Sequence, residues 1–229
     1  MLRRLIAIGY ALGLAGPVAL LCRCTASPPE ERVVFFGASI TEGYRLKGYF
    51  PGRPYINRGQ GGELALQMLQ RFERDVLDLK PRAVVLKLCS INFGPQAPTL
   101  GVTRAEYREM IDRAQAAQIK PVLATVVPVS KAWADRKGPA VQAGILAFNE
   151  WVRLEGVRRR LPVADYHKAM AGADGFVSPA NTTDGLHLSA AGYAVMTHVV
   201  GPVIDEALHG KRRPTPPTPS RPPGAGRRP

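Results

Sequence analysis

Four bulky apolar residues, Val33 to Phe36, are followed by three small ones, Gly37, Ala38 and Ser39. A segment apolar at every position reads as a strand covered on both faces. A short second strand is predicted at Arg53–Asn57, before Gly59. From Gly62 the period changes. Leu64, Met68, Leu69, Phe72, Val76 and Leu79 recur at steps of three and four, which predicts a helix with one apolar face, stopped by Pro81. Arg82–Phe93 predicts a third strand. Thr103 and Glu106 have capping-box spacing and open a helix running to about Ile119. Lys120–Val129 predicts a fourth strand, and Val141, Ile145, Phe148, Trp151, Val152 and Leu154 mark a long helix after Pro139. That helix ends at Arg158–Arg160, cations suited to a helix carboxyl end. Leu161–Tyr166 is a last short strand, and Ser189–Leu208 a final helix with a kink at Gly201-Pro202. Strands alternating with helices predict an α/β fold whose parallel sheet is covered on both faces.

The ends lie outside this alternation. Residues 1–26 carry Arg3 and Arg4, an apolar run from Leu5 to Cys22, and a small-residue close at Cys24-Thr25-Ala26, the order of a secretory signal peptide. The run is as long as the shortest membrane-spanning helices, so an uncleaved amino-terminal membrane anchor is the alternative, and both readings predict export. Leu21 and Arg23 are not the small residues that precede a lipid-modified cysteine. Once the leader is removed only Cys89 remains, which reads as a small buried hydrophobe. Residues 211–229 are basic, proline-rich and without apolar periodicity, and are expected to be disordered. One domain, residues 27–210, lies between.

Charge narrows the partners. Six cations of the tail and three of the leader account for most of the formal +13, leaving +4 for residues 27–210, too little for a nucleic-acid footprint. No spacing of His, Cys and carboxylates suggests a metal site, and no cofactor is expected. Gly59, Gly61 and Gly62 do not complete a dinucleotide loop, because Leu64 stands where that pattern needs glycine.

Four stretches place reactive or hydrogen-bonding groups after strands or at helix ends: Gly37–Thr41, Asn57–Gly62, Cys89–Asn92 and Asp184–His187. A serine hydroxyl is a poor nucleophile near neutral pH and needs a base within hydrogen-bond reach, itself oriented by a third group. Ser39, His187 and Asp184 can fill these roles, the last two on one turn. His167 lies after the last strand, with surface exposure the first reading and a place lining the site the second; His198 and His209 in the final helix are expected at the surface.

The four stretches, in this order, resemble the blocks of the SGNH, or GDSL, hydrolase superfamily over about residues 33–205. The intact Asp184-x-x-His187, with Leu188–Tyr193 after it, is the most specific match. The resemblance implies a flavodoxin-like three-layer α/β/α sandwich and a serine esterase with catalytic Ser39, Asp184 and His187. The implied oxyanion hole is formed by Ser39, Gly62 and Asn92. Three positions depart from the family pattern. Ala38 replaces an aspartate that helps fix the nucleophile turn in many relatives, Ser90 adds a hydroxyl near the oxyanion donor, and Phe93 is expected to make the rim beside Asn92 apolar.

These residues predict an exported esterase that acts through an acyl-enzyme. Its expected substrate is an acylated glycan first, with O-acetyl groups in view, and a lipid ester second. An O-acyltransferase and a non-catalytic glycan-binding protein are the rival readings. Pro128–Ala140 is the loop expected to shape the substrate site. If His187 is the base, activity falls on acidification with a midpoint of about 6 to 7.

Overall fold

Residues 31–210 are described by the computed structural model; residues 1–30, with the expected leader, and residues 211–229, the tail expected to be disordered, lie outside them. Strands β1 (Val33–Gly37), β2 (Tyr55–Gly59), β3 (Ala83–Lys87), β4 (Lys120–Ala124) and β5 (Val163–Ala164) form a parallel sheet in the order β2-β1-β3-β4-β5. Helices α1 (Ser39–Glu42), α2 (Leu46–Tyr49), α3 (Ala65–Gln70), α4 (Leu100–Ala116), α5 (Lys131–Lys137), α6 (Pro139–Arg159), α7 (Tyr166–Met170) and α8 (Ala190–His209) connect and flank it.

The register aligns the strand ends. Gly37 pairs with Gly59 and Lys87, Lys87 with Ala124, and Ala124 with Ala164, so the carboxyl ends of all five strands share one row. The chain leaves β1 to one side for β2 and returns past it to β3, which puts the topological switch point, where open α/β sheets bind ligands, between β1 and β3. Ser39 follows β1 and Asn92 follows β3.

Alternate strand residues feed two cores, which makes the fold a three-layer α/β/α sandwich. Val34, Phe36, Val84 and Leu86 pack against α3, α4, α5 and α6. Val33, Phe35, Ala83 and Val85 pack against α7, α8 and the α1–α2 segment. Continuously apolar strands are what two covered faces require. Cys89 is buried and unpaired, as a small hydrophobe should be.

Several element boundaries differ from the sequence reading. The helix expected from Gly62 to Leu79 is α3 followed by a wide π turn over Glu73–Leu77. Two charged residues inside its apolar stripe, Arg71 and Asp75, are buried there as an ion pair at 2.9 Å. The third strand stops at Lys87, and the apolar residues beyond it enter a 3₁₀ turn, Ser90–Phe93. Thr103 does not cap α4. The helix begins a turn earlier, Thr99 caps it by accepting from the Val102 N–H, and Thr103 is buried within it. Leu154 faces solvent, because the buried stripe of α6 passes from Val152 to Glu155 and Gly156. Glu155 can enter the interior because Arg158 and Arg159 both bind its carboxylate, so these arginines do more than answer the helix dipole. Their hold keeps the Glu155 carboxyl down at about 2. α8 continues through Gly201-Pro202 as one helix.

Candidate active site

The turn after β1 presents Ser39 as the first residue of α1, a helix of four residues. So short a helix cannot satisfy its own carbonyls, and side chains from three other elements do so. Arg71 donates to Gly37 C=O at 3.0 Å, and Tyr193 to Ile40 C=O at 2.9 Å. Asn57 donates to Thr41 C=O at 2.6 Å and to Tyr44 C=O at 2.9 Å. The approach is close: a Cβ at Gly59 would stand 2.0 Å from the Glu42 nitrogen, so only glycine lets the end of β2 pass α1. The family's missing aspartate is therefore not needed to fix this turn. Ala38 is buried in the core instead.

His187 and Asp184 come from a turn closed by its own hydrogen bonds. The His187 carbonyl accepts from the Thr183 N–H at 2.9 Å and the Thr182 hydroxyl at 2.7 Å. Asp184 Oδ1 accepts from the backbone N–H groups of Leu186 at 2.9 Å and His187 at 2.7 Å, shaping the turn. Its other oxygen, Oδ2, lies 2.7 Å from His187 Nδ1. These bonds, with the imidazole contact foremost, hold the Asp184 carboxyl down at about 2. Across the cleft, His187 Nε2 lies 3.2 Å from Ser39 Oγ. Residues 148 positions apart are thus joined in one chain of hydrogen bonds, Asp184–His187–Ser39.

The Gly59–Gly62 loop passes close to the same serine. Gly62 has φ +80°, a left-handed conformation suited to glycine, and its turn follows Gly61, whose added Cβ would come within 3.7 Å of Ser39 Cβ. Asn92 is buried; its Oδ1 accepts from the Ala65 N–H at 2.8 Å and its Nδ2 donates to Cys89 C=O at 3.0 Å. It thus satisfies buried backbone groups at the start of α3 and in the 3₁₀ turn. The carbonyl takes one of the amide's two N–H groups, and among the described residues no acceptor takes the other.

Two expectations about side chains are corrected. Phe93 does not line a rim: it points into the core, 5.3 Å from Phe148 between ring centroids and against Gly144. An aromatic ring gains more from that contact than from solvent. His167 is buried rather than exposed, because α7 packs under α8, and burial lowers its pKa. Ser90 is buried too. His198 and His209 are exposed.

Arg71 escaped the sequence reading. Its guanidinium also donates to Arg58 C=O at 3.0 Å and to Glu63 Oε2 at 2.7 Å, and it stacks 4.3 Å over the Phe36 ring. The signal was present in the chain, since Arg71 and Asp75 interrupt the apolar stripe at a spacing of four.

A groove of ≈ 510 Å³ adjoins Gly62 and Ile91. The segment singled out as Pro128–Ala140 contributes Trp133, Arg136 and Lys137 to its wall. Among the described residues no cluster of three or more His, Cys, Asp or Glu could hold a metal ion, and no helix is long and apolar enough to cross a membrane.

Comparisons agree with the geometry. The GDSL-like Lipase/Acylhydrolase family model matches residues 35–195. A GDSL-like lipase from Bacteroides thetaiotaomicron is 29% identical, with TM-score 0.70, over 78% of this chain and 89% of that one. A candidate acylhydrolase from Bacteroides fragilis is 32% identical, with TM-score 0.72, over 80% of this chain and 90% of that one. An acetylxylan esterase from Geobacillus stearothermophilus shares the fold at 17% identity and TM-score 0.63, over 76% of this chain and 94% of that one. No curated protein matches. With its family model spanning most of the chain and its sheet carrying the expected blocks along one edge, the protein belongs to the GDSL-like lipase/acylhydrolase family of ester hydrolases.

Proposed function

We propose that this protein is an exported serine esterase with Ser39 as nucleophile, His187 as general base and acid, and Asp184 as the group that orients the imidazole. The observation that carries the reading is the unbroken Asp184–His187–Ser39 chain at 2.7 and 3.2 Å. As His187 Nε2 takes the hydroxyl proton, Ser39 Oγ adds to the ester carbonyl carbon. The resulting oxyanion is met by the N–H groups of Ser39 and Gly62 and by the Asn92 amide. The intermediate collapses when His187 returns the proton to the leaving alcohol, leaving an acyl group on Ser39. Water, deprotonated by the same imidazole, releases the carboxylate and restores the serine. Asp184, ionised throughout, stabilises the imidazolium that forms in each half.

An O-acylated glycan is the first choice of substrate and a lipid ester the second. The leader supports export, which favours extracellular polymers over intracellular acyl carriers, and the acetylxylan esterase on this fold is compatible with glycan O-acetyl groups. The test is hydrolysis of a p-nitrophenyl ester series, from acetate to long acyl chains, by the full chain beside Ser39→Ala. Turnover lost in the variant by a factor on the order of 10³ or more supports the reading. Equal rates in both proteins overturn it, and glycan binding that survives Ser39→Ala without turnover would favour the non-catalytic alternative.

A further inference from the structure

The triad and its donors do not account for the adjoining groove. Its apolar walls include Leu64, Ile91 and Trp133, and its charged lining residues, Arg136 and Lys137, are both cations. Neither is paired with a carboxylate among the described residues. Asp135, next to them in sequence, is engaged by Lys131 at 2.8 Å, and the Glu42 carboxylate stands beside Gly61 and Ser39, outside the groove. Helix dipoles favour a cation in the last turn of α5, but here two cations line one cleft beside the reacting centre.

Their placement relative to Ser39 is fixed by backbone. The Ser130 N–H donates to Gly185 C=O at 2.8 Å, inside the turn that carries Asp184 and His187, and the Ser130 hydroxyl caps α5 by accepting from the Trp133 N–H at 3.1 Å. α5 is thus docked on the triad turn, and its far end reaches the groove. Lys137 Nζ lies 5.9 Å from the Trp133 ring centroid, within reach of the ring face, and both cations are exposed to an incoming ligand.

We infer that the ester this enzyme prefers is anionic: a carboxylate or phosphate on the portion lying in the groove is received by Arg136 and Lys137. This deepens the esterase reading and rests on it. An acylated polysaccharide carrying acidic groups has this chemistry, and so does an acylated phospholipid; neutral acetylated sugars lack it.

The test uses the full chain with Ser39→Ala, so that binding is read without turnover, and calorimetric titration with two matched pairs. 4-Acetoxybenzoate and its methyl ester place the charge on the leaving group, while phenyl hydrogen adipate and phenyl methyl adipate place it on the acyl group. One anion should bind about tenfold more tightly than its neutral partner, and the pair that shows this identifies the side of the ester in the groove. Adding Arg136→Glu and Lys137→Glu should abolish the preference, and about 0.5 M salt should weaken it. Equal binding within both pairs, a preference that survives the double charge reversal, or no binding of either anion up to about 1 mM overturns the inference. Wild-type turnover is measured in parallel. If anions bind to the variant but no ester is cleaved by the wild type, the esterase reading falls while the anion site stands. If neutral esters are cleaved through Ser39 with no anion preference, the reverse holds.

Discussion

The guanidinium of Arg71 donates to the carbonyl of Gly37 at 3.0 Å, two residues before Ser39. The same group binds Arg58 C=O and the Glu63 carboxylate, on either side of Gly59–Gly62. One buried cation therefore ties the Ser39 turn to the Gly59–Gly62 loop. Replacing Arg71 with methionine leaves the half-buried Glu63 without its counter-charge, while Asp75 keeps Arg74, and should cost about 3 kcal/mol of stability, measured by urea unfolding. Arg71→Lys keeps the charge but loses the planar fork. It should fold, and it should lower kcat more than it raises KM, because the defect is in geometry at the reacting centre rather than in substrate binding.

Two glycines should respond to alanine in different ways. At Gly59 the new methyl would collide with the backbone of α1, at 2.0 Å from the Glu42 nitrogen, so Gly59→Ala should prevent folding at ordinary temperature. At Gly62 nothing lies within 4 Å of the added Cβ, and the penalty is the left-handed φ alone. Gly62→Ala should cost only about 1 kcal/mol in unfolding experiments, yet reduce kcat roughly tenfold or more by re-aiming the N–H. A stable variant with full activity would remove Gly62 from the oxyanion hole.

Much of the candidate site was legible in the sequence because its parts are residue types with few other uses at those places. Small residues after an apolar strand, glycines before a helix, an asparagine after the central strand and Asp184-x-x-His187 each follow from backbone geometry or from acid–base roles. What stayed hidden depends on tertiary neighbours. The ring of Phe93 reads as a rim until Phe148 and Gly144 are seen to receive it. His167 reads as exposed until α7 is packed beneath α8. Arg71 and Glu155 sit where periodicity asks for apolar side chains, and only their partners show why burial is tolerated. Helix starts were misplaced where two residues of one type, Thr99 and Thr103, are a turn apart.

Asp184 should stay charged through the whole working range. Its carboxyl is depressed to about 2, so its ionised form is fully present above the ordinary carboxylate range near 4 and is lost only as pH falls toward 2. Carboxyl carbon NMR on Ser39→Ala labelled at aspartate should show the Asp184 carboxylate still ionised at about pH 4, with no protonation step of its own above that value. A midpoint near 4 would mean that the imidazole contact is not formed in solution. Asp184→Asn should cut kcat on the order of 10³-fold while leaving the fold intact, since an amide neither fixes the productive tautomer nor balances the imidazolium.

Glu155 gives the fold its own acid sensitivity, away from the site. Its carboxyl, clasped by Arg158 and Arg159, is held at about 2, below the value near 4.3 expected of an unfolded chain. A depressed carboxyl stabilises the folded state fully above the unfolded value and loses that contribution as pH falls through the folded one. The window is therefore roughly pH 5 down to 2. Glu155→Gln removes the charge that Arg158 and Arg159 enclose, so the variant should melt below the wild type at pH 7, and the gap in Tm should narrow steadily below about pH 4.5. Thermal unfolding of both proteins from pH 7 to 3 decides the matter. A gap independent of pH would assign the stabilisation to side-chain packing at the end of α6 instead of to its ion pairs.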